Sequence, residues 1–112
     1  MARINYVELP VAETGVAKAF YEAAFGWRMT DFGPTYAATM TGDVDLGLQG
    51  DAMEATRAPL AVIAVEGLED WPAKVAAAGG KITRPIFAFP GGRRFHFTDP
   101  SGNELAVVEG DH

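Results

Sequence analysis

A chain of 112 residues has room for one domain of ordinary size, and with 48% apolar residues it can build a packed core rather than remain disordered. It contains no cysteine, which excludes disulfide staples, thiolate zinc sites and cysteine nucleophiles. A formal net charge of −6 argues against a nucleic-acid partner, because phosphate-backbone binding depends on lysine and arginine, and only Arg93–Arg94 forms a compact basic spot.

No window approaches the roughly 20 apolar residues needed to cross a bilayer. Met1–Asn5 runs straight into strand-like sequence, without the basic and then apolar regions of a signal peptide. The expectation is therefore a cytoplasmic protein with no membrane partner. An acidic balance leans slightly toward cationic ligands, although net charge speaks to solubility first.

In chain order, Ile4–Val11 alternates, with Asn5, Val7, Leu9 and Val11 on one face and Ile4, Tyr6 and Glu8 on the other. Thr14 is placed to cap a helix whose apolar stripe is Val16, Phe20, Ala23 and Ala24, and Gly26 to end it. Short strands follow near Trp27–Phe32, Thr35–Thr41 and Val44–Leu48, separated by the turn signals Gly33-Pro34 and Gly42-Asp43. The order then restarts. Leu60–Val65 reads as a strand, and Leu68, Trp71, Val75 and Ala78 as a helical stripe with Pro72 in its first turn and Gly79-Gly80 at its end. Strands near Lys81–Phe87, Arg93–Thr98 and Glu104–Val108 complete the second half, with Asp99-Pro100-Ser101-Gly102 as a tight turn.

The halves overlay by order and punctuation. Val11 to Gly26 and Val65 to Gly80 have the same separation, and Gly42 and Gly102 stand equivalently before each half's last strand. A linker containing Asp51, Glu54 and Thr56 joins them. The expected fold class is α+β, one domain over residues 1–112 made of two tandem βαβββ modules, residues 3–50 and 58–109. One helix per module covers one sheet face and leaves the other to line a cavity.

Three stretches carry a family resemblance: FYEAAFGW at Phe20–Trp27, AAGGKI at Ala77–Ile82 and FTDPSGNELAVVE at Phe97–Glu109. In order and at this spacing, they resemble the vicinal-oxygen-chelate superfamily of glyoxalase I, bleomycin-resistance proteins, fosfomycin-modifying enzymes and extradiol dioxygenases. The resemblance runs from Ile4 to Glu109. It implies curved mixed sheets around a U-shaped cleft, usually completed in a homodimer, and small size points to a homodimer as well.

The resemblance also implies metal ligands, and the chain departs from it there. The ligand position on the first strand holds Tyr6, that on the fifth strand Leu60 and that on the last strand Ala106. By the internal repeat, the fourth-strand position falls at or beside Leu46 and Gly47. None supplies an imidazole or a carboxylate, so no metal and no other cofactor is expected.

The parity that turns Tyr6 toward the cleft turns Glu8 there too, together with Arg94, His96 and Thr98, and with Glu104, Ala106 and Val108. Leu60, Val62 and Ala64 add an apolar wall, while Phe95, Phe97, Leu105 and Val107 go to the helical core. The candidate ligand-binding residues are thus Tyr6, Glu8, Leu60, Val62, Arg94, His96 and Ala106, a set suited to a small organic molecule. Glu8, Arg94 and His96 are the candidate catalytic residues. Glu8 beside His96 would raise the histidine's basicity for acid/base work, and Arg94 would hold a carboxylate or enolate oxygen. The alternative is that Glu8 and Arg94 neutralise one another, that His96 is structural and that Tyr6 packs. Trp27 and Trp71 read as packing. Phe87–Gly92 reads as either a flap over the cleft or an ordinary hairpin.

Two functions follow. One is a metal-independent small-molecule binder in the manner of bleomycin-resistance proteins. The other is a metal-independent lyase or isomerase using Glu8, Arg94 and His96. A metal-dependent glyoxalase or dioxygenase would require an unusual site drawn from Glu8, His96 or Glu104.

Overall fold

The computed structural model describes residues 1–110. Its strands are β1 (Arg3–Pro10), β2 (Met29–Asp31), β3 (Tyr36–Thr39), β4 (Asp45–Gln49), β5 (Leu60–Val65), β6 (Lys81–Phe89), β7 (Gly92–Thr98) and β8 (Glu104–Glu109). Helix α1 spans Thr14–Phe25 and α2 spans Trp71–Ala77, the latter preceded by a 3-10 turn at Leu68–Asp70. The fold is α+β, and βαβββ order occurs twice. Backbone contacts divide the chain into two compact units, one of Tyr6–Leu60 and one of Met1–Asn5 with the chain from Ala61 onward.

In the unit Tyr6–Leu60 the strand order is β2-β3-β4-β1. β1 and β4 run parallel, with Tyr6 opposite Asp45 and Glu8 opposite Gly47, and the other pairs are antiparallel. Asp45 fastens the β3–β4 turn: its carboxylate accepts from the hydroxyls of Thr39 and Thr41 and the amides of Thr41 and Gly42. Burial pushes that carboxyl up, but the hydrogen bonds together outweigh it and hold it below its ordinary value. Gly42 completes the turn with φ +82, a conformation that suits glycine.

α1 differs from its sequence reading at both faces. Glu13 is the N-cap and makes no side-chain capping bond, while Thr14 is the first helical residue. The predicted stripe is turned outward: Val16 and Phe20 are exposed, as are Ala23 and Ala24, and Thr14 alone is buried. In place of a buried stripe, Tyr21, Phe25 and Trp27 stack on one another, with ring centroids 5.3–6.2 Å apart, and Phe20 meets Tyr21 edge-on. Gly26 ends the helix in the left-handed conformation, as expected.

In the second unit the order is β5-β8-β7-β6, with β5 and β8 parallel and the remaining pairs antiparallel. Its core is on the helix side. Val65, Leu68, Phe95 and Val107 form a buried cluster, joined by Trp71, Val75, Ile82 and Phe97. Trp71 also donates its indole N–H to the Glu66 carbonyl at 2.9 Å. Burying four such side chains contributes about 1.5–3 kcal/mol each before chain entropy is subtracted. Residues Phe87–Phe89 belong to β6, and Pro90-Gly91 forms the turn of a β6–β7 hairpin. No helix among the described residues is long and apolar enough to cross a membrane.

Candidate functional site

The predicted site residues fall into two local groups. In the unit Tyr6–Leu60, Tyr6 and Glu8 project from β1 and are joined through Tyr36 of β3. The Tyr6 and Tyr36 hydroxyls hydrogen-bond to each other, and Tyr36 donates to Glu8 Oε1 at 2.9 Å. Burial, followed by the Glu8 charge, raises the Tyr36 phenol above its ordinary value, so it remains a donor.

The two phenol tips meet over Gly47. A Cβ at that position would overlap the hydroxyls of both Tyr6 and Tyr36 and lie 2.7 Å from Tyr6 Cζ. The fourth-strand position at which the resemblance implies a metal ligand falls at or beside Leu46 and Gly47, and at Gly47 two phenols fill the space that such a side chain would need. Leu60 and Ala106, at the corresponding positions of β5 and β8, are fully buried and apolar. The residues present do not fit a metal centre of the glyoxalase type. Among the described residues, no group of three or more His, Asp or Glu is arranged to hold an ion.

The second group lies on the face of β5-β8-β7-β6 opposite the helix-side core. The register sets Val62 opposite Ala106 and Ala106 opposite His96, with Val108 opposite Arg94. Val62, Ala106 and Val108 are fully buried, His96 is 2% exposed and Arg94 7%. Along β5, Leu60, Val62 and Ala64 share one side of the strand by its two-residue alternation, and all three are buried.

His96 Nδ1 lies 2.8 Å from Glu104 Oε2. That bond makes Nδ1 the protonated nitrogen of the neutral ring and turns Nε2 into an acceptor. Nε2 is buried and has no hydrogen-bond partner among the described residues. The carboxylate on His96 is therefore Glu104, where the sequence reading chose Glu8. The expected rise in basicity is also reversed. Burial lowers the imidazole below its ordinary value, the Arg94 and Arg84 charges act the same way, and the bond to Glu104 opposes them without prevailing. At neutral pH the ring is neutral, held in one tautomer and able to accept a proton at Nε2.

Aromatic side chains border this group. Phe87 lies 5.6 Å from His96, between centroids, and Arg84 stands 3.6 Å over the Phe87 ring. Arg94 lies 5.5 and 5.1 Å from the Phe87 and Phe89 rings. Arg84 and Phe87 were not among the predicted site residues. The signal for them was Pro85, since proline inside a strand marks an irregularity in the ladder. Arg93, one residue from Arg94, points the other way and pairs with Glu69 and Glu109 at the surface. A hollow of about 440 Å³ beside the start of α1, lined by Glu13, Thr14, Pro34 and Gly50 among others, contains none of these residues.

Comparison with known proteins places the chain in a family. No curated protein matches the chain. Among solved structures, it is similar to a glyoxalase/bleomycin resistance protein/dioxygenase superfamily member from Vibrio splendidus 12B01, at 17% identity over 97% of this chain and 99% of that one, with a TM-score of 0.71. It is similar to methylmalonyl-CoA epimerase from Mycobacterium tuberculosis at 16% identity over 96% of this chain and 87% of that one, TM-score 0.73. It is also similar to the Mn(II)-bound glyoxalase from Novosphingobium aromaticivorans, at 22% identity over 99% of this chain and 40% of that one, TM-score 0.71. At such identities these likenesses establish the fold alone. The family model of the Glyoxalase/Bleomycin resistance protein/Dioxygenase superfamily matches residues 3–107. With that match over nearly its whole length and the βαβββ order repeated twice, the chain belongs to the glyoxalase/bleomycin resistance protein/dioxygenase superfamily.

Proposed function

We propose that this chain binds a small organic molecule against the His96-bearing face of β5-β8-β7-β6, and does so without a resident metal. The observation that carries the reading is His96 itself. Burying an imidazole nitrogen without a partner costs about 1–3 kcal/mol, and a ligand donor at Nε2 would recover it. The surrounding apolar wall of Val62, Ala106 and Val108 provides burial, and the few polar groups provide orientation. Titration calorimetry with a panel of cationic, neutral and anionic aromatic compounds tests this. Binding that weakens at least about tenfold in His96→Ala is expected. No binding by any member of the panel would remove the proposal.

A second reading, a metal-independent lyase or isomerase, is favoured by the Glu104–His96 hydrogen bond. A carboxylate that holds Nδ1–H and leaves Nε2 as the acceptor is the arrangement a general base requires. In this reading His96 moves the proton, Glu104 orients it, and Arg94 holds negative charge on the substrate. If an activity is found, Glu104→Gln should lower kcat more than it raises KM.

A further inference from the structure

α1 is polarised the wrong way round for a helix that faces water. Its charged residues lie on the flanks and are used within their own unit: Lys18 pairs with Asp31 of β2 at 3.1 Å, and Glu22 accepts the Met29 amide at 3.1 Å. By helical spacing the outward side is Gly15, Val16, Ala19, Phe20, Ala23 and Ala24, all exposed and none charged. A surface helix of a solitary chain presents the reverse, charged and polar residues outward. Gly15 also lacks a reason within its own chain. Glycine weakens a helix relative to alanine, yet a Cβ at Gly15 would meet nothing within 4 Å. Its missing side chain makes room for something outside the chain.

The outward side continues into the ring stack through Phe20, which meets Tyr21 edge-on. With about 150–250 Å² for each aromatic side chain, the exposed fractions of Phe20, Phe25 and Trp27 amount to about 350 Å². Val16, Gly15 and the three alanines raise this to roughly 600 Å², so two copies of the face give about 1,200 Å², where stable specific interfaces begin. We propose that a second copy of this chain covers it, with α1 packed antiparallel on α1 about a two-fold axis passing between Ala19 and Phe20. In that register Phe20 lies over Ala19, Val16 over Ala23 and Ala24 over Gly15, so each larger side chain meets a smaller one and Gly15 lets the backbones approach. Charge favours the same occupant. The chain carries −6, which sets most contacts between copies against like charge, whereas this face buries no charge at all. Antiparallel packing also brings the exposed Glu13, at the N-cap, toward the exposed Arg28 that follows the helix in the other copy.

Analytical ultracentrifugation of the full chain from about 1 to 200 µM tests this, and a dimer with a micromolar Kd is expected. Ala19→Glu and Phe20→Glu change side chains that are exposed in the single chain, and circular dichroism checks that both variants are folded. Each places two carboxylates at the centre of the contact and should raise Kd at least about tenfold. Met53→Glu adds the same charge at a turn residue that is 90% exposed and should leave Kd within about twofold. Glu13→Arg and Arg28→Glu should each weaken the dimer about threefold, and the double exchange should restore it. A chain that stays monomeric throughout overturns the proposal and leaves the face to a partner of another sequence. A dimer that ignores Ala19→Glu and Phe20→Glu, or that Met53→Glu weakens equally, overturns the location. Single charge variants that weaken the dimer without recovery in the double exchange overturn the antiparallel arrangement.

Discussion

Replacing Gly47 by alanine adds one methyl group where two phenol tips already lie. The new Cβ would overlap the Tyr6 and Tyr36 hydroxyls and sit 2.7 Å from Tyr6 Cζ, well inside the roughly 3.5–4.0 Å at which carbon contacts are favourable. Gly47 is paired with Glu8 on one side and Ala38 on the other, so the backbone has little room to retreat without disturbing two ladders. Overpacking alone costs about 1–3 kcal/mol. Displacing the phenols also weakens the Tyr6–Tyr36 and Tyr36–Glu8 bonds, worth about 0.5–1.5 kcal/mol for a neutral pair and about 1.5–3 for one to a charged group. A loss of about 3 kcal/mol is expected. Urea unfolding followed by circular dichroism should compare the wild type with Gly47→Ala, Tyr6→Phe and the double variant. Tyr6→Phe removes one of the two oxygens the methyl meets, so the double variant should be about 1 kcal/mol more stable than the sum of the single losses. A Gly47→Ala protein within about 0.5 kcal/mol of the wild type, or a strictly additive double variant, would refute the packing described for these three residues.

Acid should weaken the fold through His96. Its folded value lies below the ordinary 6.5, chiefly because it is buried, so the unfolded chain takes up this proton first and stability falls as pH drops from above 6.5 toward the folded value. Between about pH 7.5 and 5.5 this group accounts for at most about 1.4 kcal/mol; His96→Gln should remove that part of the slope, and an unchanged slope would contradict the assignment. Elemental analysis of protein prepared without an affinity tag should find zinc, nickel, iron and manganese only at substoichiometric levels. A stoichiometric metal would restore metal-dependent chemistry to first place and show that Tyr6, Leu60 and Ala106 do not mark the ligand positions.

Much of the fold was legible because its strongest signals are local. Leu60–Val65 is a run of apolar residues that becomes β5 at the bounds read from sequence, and the glycines Gly26, Gly42 and Gly102 all take positive φ where turns were expected. The alternation on β7 separated Phe95 and Phe97, which go to the helix-side core, from Arg94 and His96. Other features depend on pairing between distant segments. Tyr36 bonds Glu8 across 28 residues of sequence, and Glu104 reaches His96 through the β7–β8 register; no periodicity within either strand announces these partners. Arg84 was hidden because strict alternation fails at a bulge. The stripe on α1 was misread for a different reason: helical spacing identifies an apolar face but does not say that this chain covers it.

The tryptophans are divided one to each compact unit: Trp27 lies in the ring stack beside α1, and Trp71 lies against the core under α2. Each unit therefore carries its own optical reporter, one 41% exposed among other aromatic rings and the other near a lysine ammonium 4.5 Å above it. Single-tryptophan variants would let the melting of each half be followed separately, without labels. Coincident fluorescence transitions would identify one cooperative folding unit, and staggered transitions two.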